Sequence, residues 1–290
     1  MKAMIALTVA EGKRLIAKAI VRTPEVQRAL QGGKILLKGG TTVSAVAEEL
    51  VGMPLLISGR VSPRGFKATR IPCDAPHAML IEGSEWRKVD DELPEVVPSL
   101  GENDAFVVGA NLIDAHGGAA MAVGAPLGGR PGRVLAGIQA QGVPILVAAG
   151  LEKLIPGFVG DAVRSAGRNG VDFSMGMSVG LIPICGQVVT EVEAVKLLAP
   201  VQCQVIARGG LDGAEGGVGL AVWGEPADVE RLFLLALGLK GASTSGAGQS
   251  LYECESASST CKGHRACIYR SPGLIPAARD GSADRGAALR

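Results

Sequence analysis

Several features that would settle the class of this protein are missing from its sequence. No apolar run approaches the roughly 18 residues needed to cross a bilayer. The start, Met1 to Ala10, carries one lysine and an apolar stretch too short for a secretory leader, without a convincing cleavage site. Formal net charge is only +1, so the balance implies no field that would capture nucleic acid or an anionic membrane. The full spacings of the dinucleotide and P-loop fingerprints are both absent. These absences lead to the expectation of a soluble, cytoplasmic protein with neither nucleic acid nor membrane as partner. What is present agrees with that class: 290 residues, 47% hydrophobic and 20% charged, can bury one large or two modest cores.

The most informative stretch is KILLKGGTTVSAVAEEL, Lys34 to Leu50. Lys34 to Lys38 reads as a short buried strand, Gly39-Gly40 as a turn, and Val43, Val46, Ala47 and Leu50 as the apolar stripe of a helix. A helix start of this kind offers backbone N–H groups and partial positive charge to an anion. Gly39, Gly40, Thr41 and Thr42 are therefore candidates to hold phosphate or carboxylate. The plainer reading is an ordinary connection with Thr41 or Thr42 as N-cap.

Around this unit, Ala10 to Leu30 has a helical pattern that Thr23-Pro24 divides in two. Met53 to Ser58 (MPLLIS) reads as a second strand. It leads into a loop, Gly59 to Gly65, whose Arg60 and Arg64 either face the glycine turn or are solvated surface. His77 stands beside a proline at a strand start and reads as structural. Asp104 to Asn111 reads as a buried strand that delivers Asn111, Asp114 and His116 into a loop with Gly117-Gly118. In open parallel sheets ligands collect outside the carboxyl ends of strands, so Asp114 and His116 are candidates for base and acid. Alternatively Asp114 caps a turn and His116 packs against a glycine. A third strand, Val143 to Ala149, is followed by Glu152 and Lys153, which either neutralises an anion or pairs with a nearby acid. The fold class expected is α/β: an open, mostly parallel sheet with helices on both faces, over residues 1–160.

Three segments, LLKGGTTVSAVAEEL, FVVGANLIDAHGGAAMAVG and GVPILVAAGLEKLIP, together resemble the superfamily of ribose-5-phosphate isomerase, glucosamine-6-phosphate deaminase, CoA transferases and initiation factor 2B-type proteins. The resemblance implies that a threonine-bearing glycine turn holds phosphate and that a strand-end aspartate does the chemistry. Asn111 stands where that aspartate is usual, and an amide orients a hydroxyl without taking its proton at neutral pH. Either Asp114 takes over the acid role, or the chain is a binding relative without isomerase chemistry. The Ser-Glu-Asn-Gly setting of the CoA transferases has no counterpart, since Gly101-Glu102-Asn103-Asp104 precedes its strand and reads as a turn.

Gly157 to Gly180, rich in glycine, is the expected domain junction. Beyond it a strand at Leu181 to Val189, a helix with a Thr190/Glu193 capping box, strands at Gln202 to Ala207 and Val218 to Trp223, and a helix opened by Pro226 suggest a ferredoxin-like α+β domain over 177–241. A Cys-rich segment, 242–270, and a flexible terminus, 271–290, complete the expected organisation. Cys254, Cys261, His264 and Cys267 fall within fourteen residues. Three thiolates and an imidazole complete a tetrahedral zinc site, and three thiolates with a further ligand hold an iron–sulfur cluster. The usual Cys-x2–4-Cys spacing is missing, which leaves a disulfide, a redox pair or plain buried thiols as alternatives.

Two functions follow as expectations. One is binding of a small anionic ligand, phosphorylated or CoA-like, with isomerase or transferase chemistry at Asp114, assisted by His116 or Lys153. The other is a non-catalytic binding or regulatory protein whose tail senses metal or redox state. A homo-oligomer is compatible with both.

Overall fold

The computed structural model describes residues 1–68, 74–250 and 264–270. β1 (Lys2–Leu7) alternates exposed and buried side chains and ends at Thr8, which caps α1 (Val9–Ile20). The Thr8 hydroxyl accepts from Glu11 N and the Glu11 carboxylate accepts from Thr8 N, the reciprocal pairing of a capping box. Proline then restarts the chain as α2 (Pro24–Gly32). The strand, turn and helix legible in the sequence follow as β2 (Lys34–Lys38) and α3 (Thr41–Val51). Next come the hairpins β3 (Gly59–Ser62) with β4 (Gly65–Ala68) and β5 (Ala78–Glu82) with β6 (Glu85–Lys88), then a single turn, α4 (Leu93–Val96). The middle of the chain forms β7 (Ala105–Gly109), β8 (Leu112–Ile113), β9 (Ala119–Val123), α5 (Gly129–Ala140), β10 (Ile145–Ala148) and α6 (Val159–Ser165). The last part forms β11 (Gly180–Pro183), β12 (Gln187–Val189), α7 (Glu191–Leu198), β13 (Gln202–Arg208), β14 (Val218–Trp223) and α8 (Pro226–Leu237).

A six-stranded mixed sheet, in the order β12-β10-β7-β2-β5-β6, organises the α/β fold. Its four strands β12, β10, β7 and β2 are parallel, while β5 and β6 run antiparallel at one edge. Nearly continuous apolar runs such as Ile35-Leu36-Leu37 are what strands covered on both faces require. Ile35, Leu37, Val107 and Leu146 pack against Leu15 and Ile16 of α1, Val43 and Val46 of α3 and Val195 of α7. Their alternates Leu36, Phe106, Val108 and Val147 pack against Leu93 of α4 and Leu135 and Ile138 of α5. Smaller antiparallel sheets, β1-β14-β13, β11-β9-β8 and β3-β4, surround this body.

The ferredoxin-like unit expected over 177–241 does not form. Its strands divide among three sheets: β11 pairs with β9, β12 completes the edge of the main sheet, and β13 and β14 join β1. The reason is β1, whose exposed-buried alternation supplies β14 with a partner from the other end of the chain. Val218, Leu220 and Val222 of β14 share one core with Ile35 and Val107. Residues Met53 to Ser58, expected as a strand, join no ladder. Pro54 lacks an N–H, and Leu55 N and Ile57 N donate to the hydroxyls of Ser44 and Ser250, at 2.8 and 3.1 Å. The segment read as a loop around Arg60 is the β3-β4 hairpin, and the expected junction contains α6. Among the described residues no helix is long and apolar enough to cross a membrane.

Candidate functional site

The carboxyl edge of the parallel strands carries the turn between β2 and α3. Lys38, the last residue of β2, lies opposite Ala78 in β5 and Val108 in β7. Gly39 and Gly40 follow at φ +38° and +113°, where a side chain would strain the backbone. Gly39 N donates to the His77 carbonyl at 3.0 Å, and Gly40 O receives the first helical bond from Ser44 N at 2.8 Å. Gly40 is the N-cap of α3, so no side chain closes the start of that helix. A Cβ at Gly40 would meet Gly109 Cα at 3.9 Å and Val43 Cγ2 at 4.0 Å, which sets the turn against the end of β7. In the first turn of α3, Thr42 is 1% exposed, and its hydroxyl has no hydrogen-bond partner among the described residues. Such a group costs on the order of 1–3 kcal/mol unless something satisfies it.

One residue before the turn lies a second unusual arrangement. Lys38 is 4% exposed, forms no ion pair among the described residues, and places Nζ 3.2 Å from His77 Nε2. His77 Nδ1 lies 3.0 Å from the Leu56 carbonyl, which can only accept. Nδ1 therefore carries the proton, and Nε2 presents its lone pair to the lysine. Burial pushes the Lys38 ammonium down to about 8, with the positive charge of Arg130 adding to the shift and Asp90 opposing it. Burial and then the Lys38 charge push His77 down to about 4, so the ring is neutral at pH 7. Asp90 fixes the backbone here, accepting from His77 N at 3.0 Å and Ala78 N at 2.6 Å. Arg130, near the start of α5, donates to the Asp90 carbonyl at 2.9 Å.

The loop beyond β7 uses its polar residues to hold itself together. Asn111 Oδ1 accepts from Ala122 N at 2.8 Å. Asp114 is buried, and its carboxylate accepts from Val159 N at 2.9 Å, Gly118 N at 2.8 Å and His116 N at 2.9 Å. Those backbone donors, that of Val159 foremost, hold its pKa below the usual carboxylate value. Asp114 thereby ties the Gly117-Gly118 turn to the start of α6, and His116 stacks on Phe158 with ring centroids 4.9 Å apart. Among the described residues no hydrogen bond or ion pair joins Asp114, His116, Gly117 or Gly118 to Gly39–Thr42.

Lys153 belongs to another cluster, at the ends of β10 and β12. Lys13 Nζ lies 3.6 Å from Glu152 Oε1, and Glu191 Oε2 accepts from Leu151 N at 2.8 Å. A methyl at Gly150 would stand 2.8 Å from Glu191 Oε1 and closer still to Glu152 Oε2, so both carboxylates converge on one bare Cα. Burial pushes Lys153 down to about 8 and Glu191 up to about 7, the latter with help from the Glu152 charge. Arg60, the remaining candidate for the anion, donates to the Ser250 carbonyl at 2.6 Å. Of the cysteine-rich group, Cys254 and Cys261 lie outside the described residues. Cys267 is buried and bridges backbone to backbone with Ser174, and His264 stands three residues before it. Among the described residues no three His, Cys, Asp or Glu side chains gather as metal donors.

No protein-family model, curated protein or solved structure matches the chain. The site is therefore read from its own chemistry. The sequence singled out Gly39–Thr42 as candidates, whereas Lys38 was passed over and His77 read as structural. The available signal was a lysine closing a strand of apolar middle, Ile35-Leu36-Leu37, immediately before a glycine pair. Its partner emerges only from the register that sets Lys38 opposite Ala78.

Proposed function

We propose that the chain binds a small phosphorylated or carboxylated molecule at the start of α3, through the N–H groups of Gly40, Thr41 and Thr42 and the Thr42 hydroxyl. The observation that carries this reading is the buried Thr42 Oγ1, without a hydrogen-bond partner among the described residues, in the first turn of a helix capped only by glycine. The helix end supplies partial positive charge to the anion. The resemblance to the isomerase and CoA-transferase superfamily belongs to the same proposal, since there too a threonine-bearing glycine turn holds phosphate. Asp114 has no part in this chemistry: three backbone donors occupy its carboxylate and hold it ionised. Calorimetric titration with inorganic phosphate tests the reading, with saturable binding expected in the wild type and at least about tenfold weaker binding in Thr42→Val, the loss of roughly one charge-assisted hydrogen bond.

A further inference from the structure

The anion site leaves Lys38 unexplained. A buried ammonium normally has a carboxylate beside it, because removing an unpaired charge from water costs several kcal/mol. The carboxylate nearest in kind, Asp90, is engaged by the backbone N–H groups of His77 and Ala78. Lys38 faces instead the lone pair of a neutral imidazole. Burial with no carboxylate paired to it among the described residues favours the amine over the ammonium, and an uncharged amine is a nucleophile.

We propose that Lys38 forms an imine with the carbonyl carbon of a small aldehyde or ketone whose phosphate or carboxylate is held at the start of α3. This proposal rests on the anion-binding reading and names the class of ligand that the site takes. Lys38 stands two residues before Gly40, and a Cβ at Gly39 would lie 2.3 Å from the His77 ring, so the Lys38–His77 pair borders the turn, and the ligand class is a two- or three-carbon phosphorylated carbonyl compound. The Nζ lone pair forms the new C–N bond while the carbonyl π pair moves to oxygen. His77 Nε2 takes a proton from Nζ and passes it to that oxygen, giving a carbinolamine. Loss of the hydroxyl as water, with the second Nζ proton, leaves the C=N bond. Amine and carbonyl thus become imine and water, and no oxidant or reductant takes part. Depression of the Lys38 pKa to about 8 by burial keeps a useful fraction of free amine near neutral pH, which an exposed lysine lacks.

Reductive trapping tests this on the intact chain. The wild-type protein is incubated at pH 7.5 with glycolaldehyde phosphate and cyanoborohydride, and every lysine is followed by peptide mass spectrometry. Lys38 is expected to be labelled at least tenfold faster than any other lysine, with inorganic phosphate suppressing the reaction. Unphosphorylated glycolaldehyde should show no such preference, and the Lys38 rate should level off above about pH 8 while exposed lysines continue to gain. In Lys38→Arg the dominant adduct should vanish. Label spread evenly over the lysines, with phosphate still binding at Gly40–Thr42, overturns the imine and leaves anion binding standing. Absence of both overturns the two together. The wild-type labelling map alone distinguishes these outcomes, even where the variant fails to fold.

Discussion

Lys38 Nζ donates to His77 Nε2 across 3.2 Å, and the Leu56 carbonyl fixes the tautomer that makes this possible. The pair stands where β2 ends and the glycine turn begins, with its surroundings set by β5 on one side and β7 on the other. Its cost and its reactivity have the same origin, a cationic group withdrawn from water beside a neutral partner.

Lys38 has a folded-state pKa of about 8, below its ordinary 10.5. Between those values the unfolded chain binds more protons than the folded one, so stability rises with pH across the window. At pH 7 the full penalty is present, up to about 3 kcal/mol at 1.36 kcal/mol per unit. Lys38→Met is expected to be more stable than wild type at pH 7 and to lose part of the rise between pH 8 and 10.5 in urea unfolding. Lys153, also pushed down to about 8, keeps the remainder. A less stable Lys38→Met with an unchanged pH profile contradicts this.

Thr42→Val replaces a buried hydroxyl, without a partner among the described residues, by a methyl of the same shape. The apo protein is expected to gain on the order of 1 kcal/mol, while affinity for phosphate falls. Stability and binding moving in opposite directions separates a ligand-facing hydroxyl from an ordinary packing residue. Chemical denaturation with and without phosphate measures both.

Asp114→Asn puts an amide where three backbone N–H groups converge. Its NH2 group turns one acceptor into a donor, and a loss of roughly 1–3 kcal/mol follows. Phosphate affinity should be unchanged, because the residue only anchors the loop and the start of α6. The depressed pKa of Asp114 also means that its stabilisation is present at neutral pH and is lost as pH falls through the folded value.

Glu191 behaves in the opposite sense, with its carboxyl raised to about 7 by burial. The folded chain holds a proton that the unfolded chain releases above about 4.5, so the contribution is complete below that pH and is lost as pH rises through 7. Glu191→Gln, whose amide oxygen still accepts from Leu151 N, should flatten the profile between pH 4.5 and 7 and exceed wild type at pH 8. Thermal unfolding across that range is the measurement.

Local signals carried the parts of the fold that depend on neighbouring residues. The β2-turn-α3 unit, the division of helices at Thr23-Pro24 and the Thr190/Glu193 capping box are all encoded within a few positions of one another. What depends on distant pairing was not legible. β1 meets β14 more than two hundred residues later, and without it β13 and β14 resembled part of a separate unit. The strand from Leu181 to Val189 divides at Cys185-Gly186 because its two halves answer to different partners, β9 and β10. The site shows the same limit. Glycines and threonines at a helix start advertise themselves, whereas the Lys38-His77 contact requires β5 to return antiparallel beside β2. Asp114 was legible as a polar residue at a strand end, but of its three donors only His116 and Gly118 lie in its own loop, while Val159 stands far along the chain.

The central claim, that the start of α3 is an anion site, is tested most directly by amide NMR of the wild-type chain during titration with inorganic phosphate. The N–H resonances of Gly40, Thr41 and Thr42 should shift together along one saturable curve, with the His77 ring responding through its contact with Lys38. Shifts confined to exposed lysines and arginines, with those three amides unmoved, would contradict it.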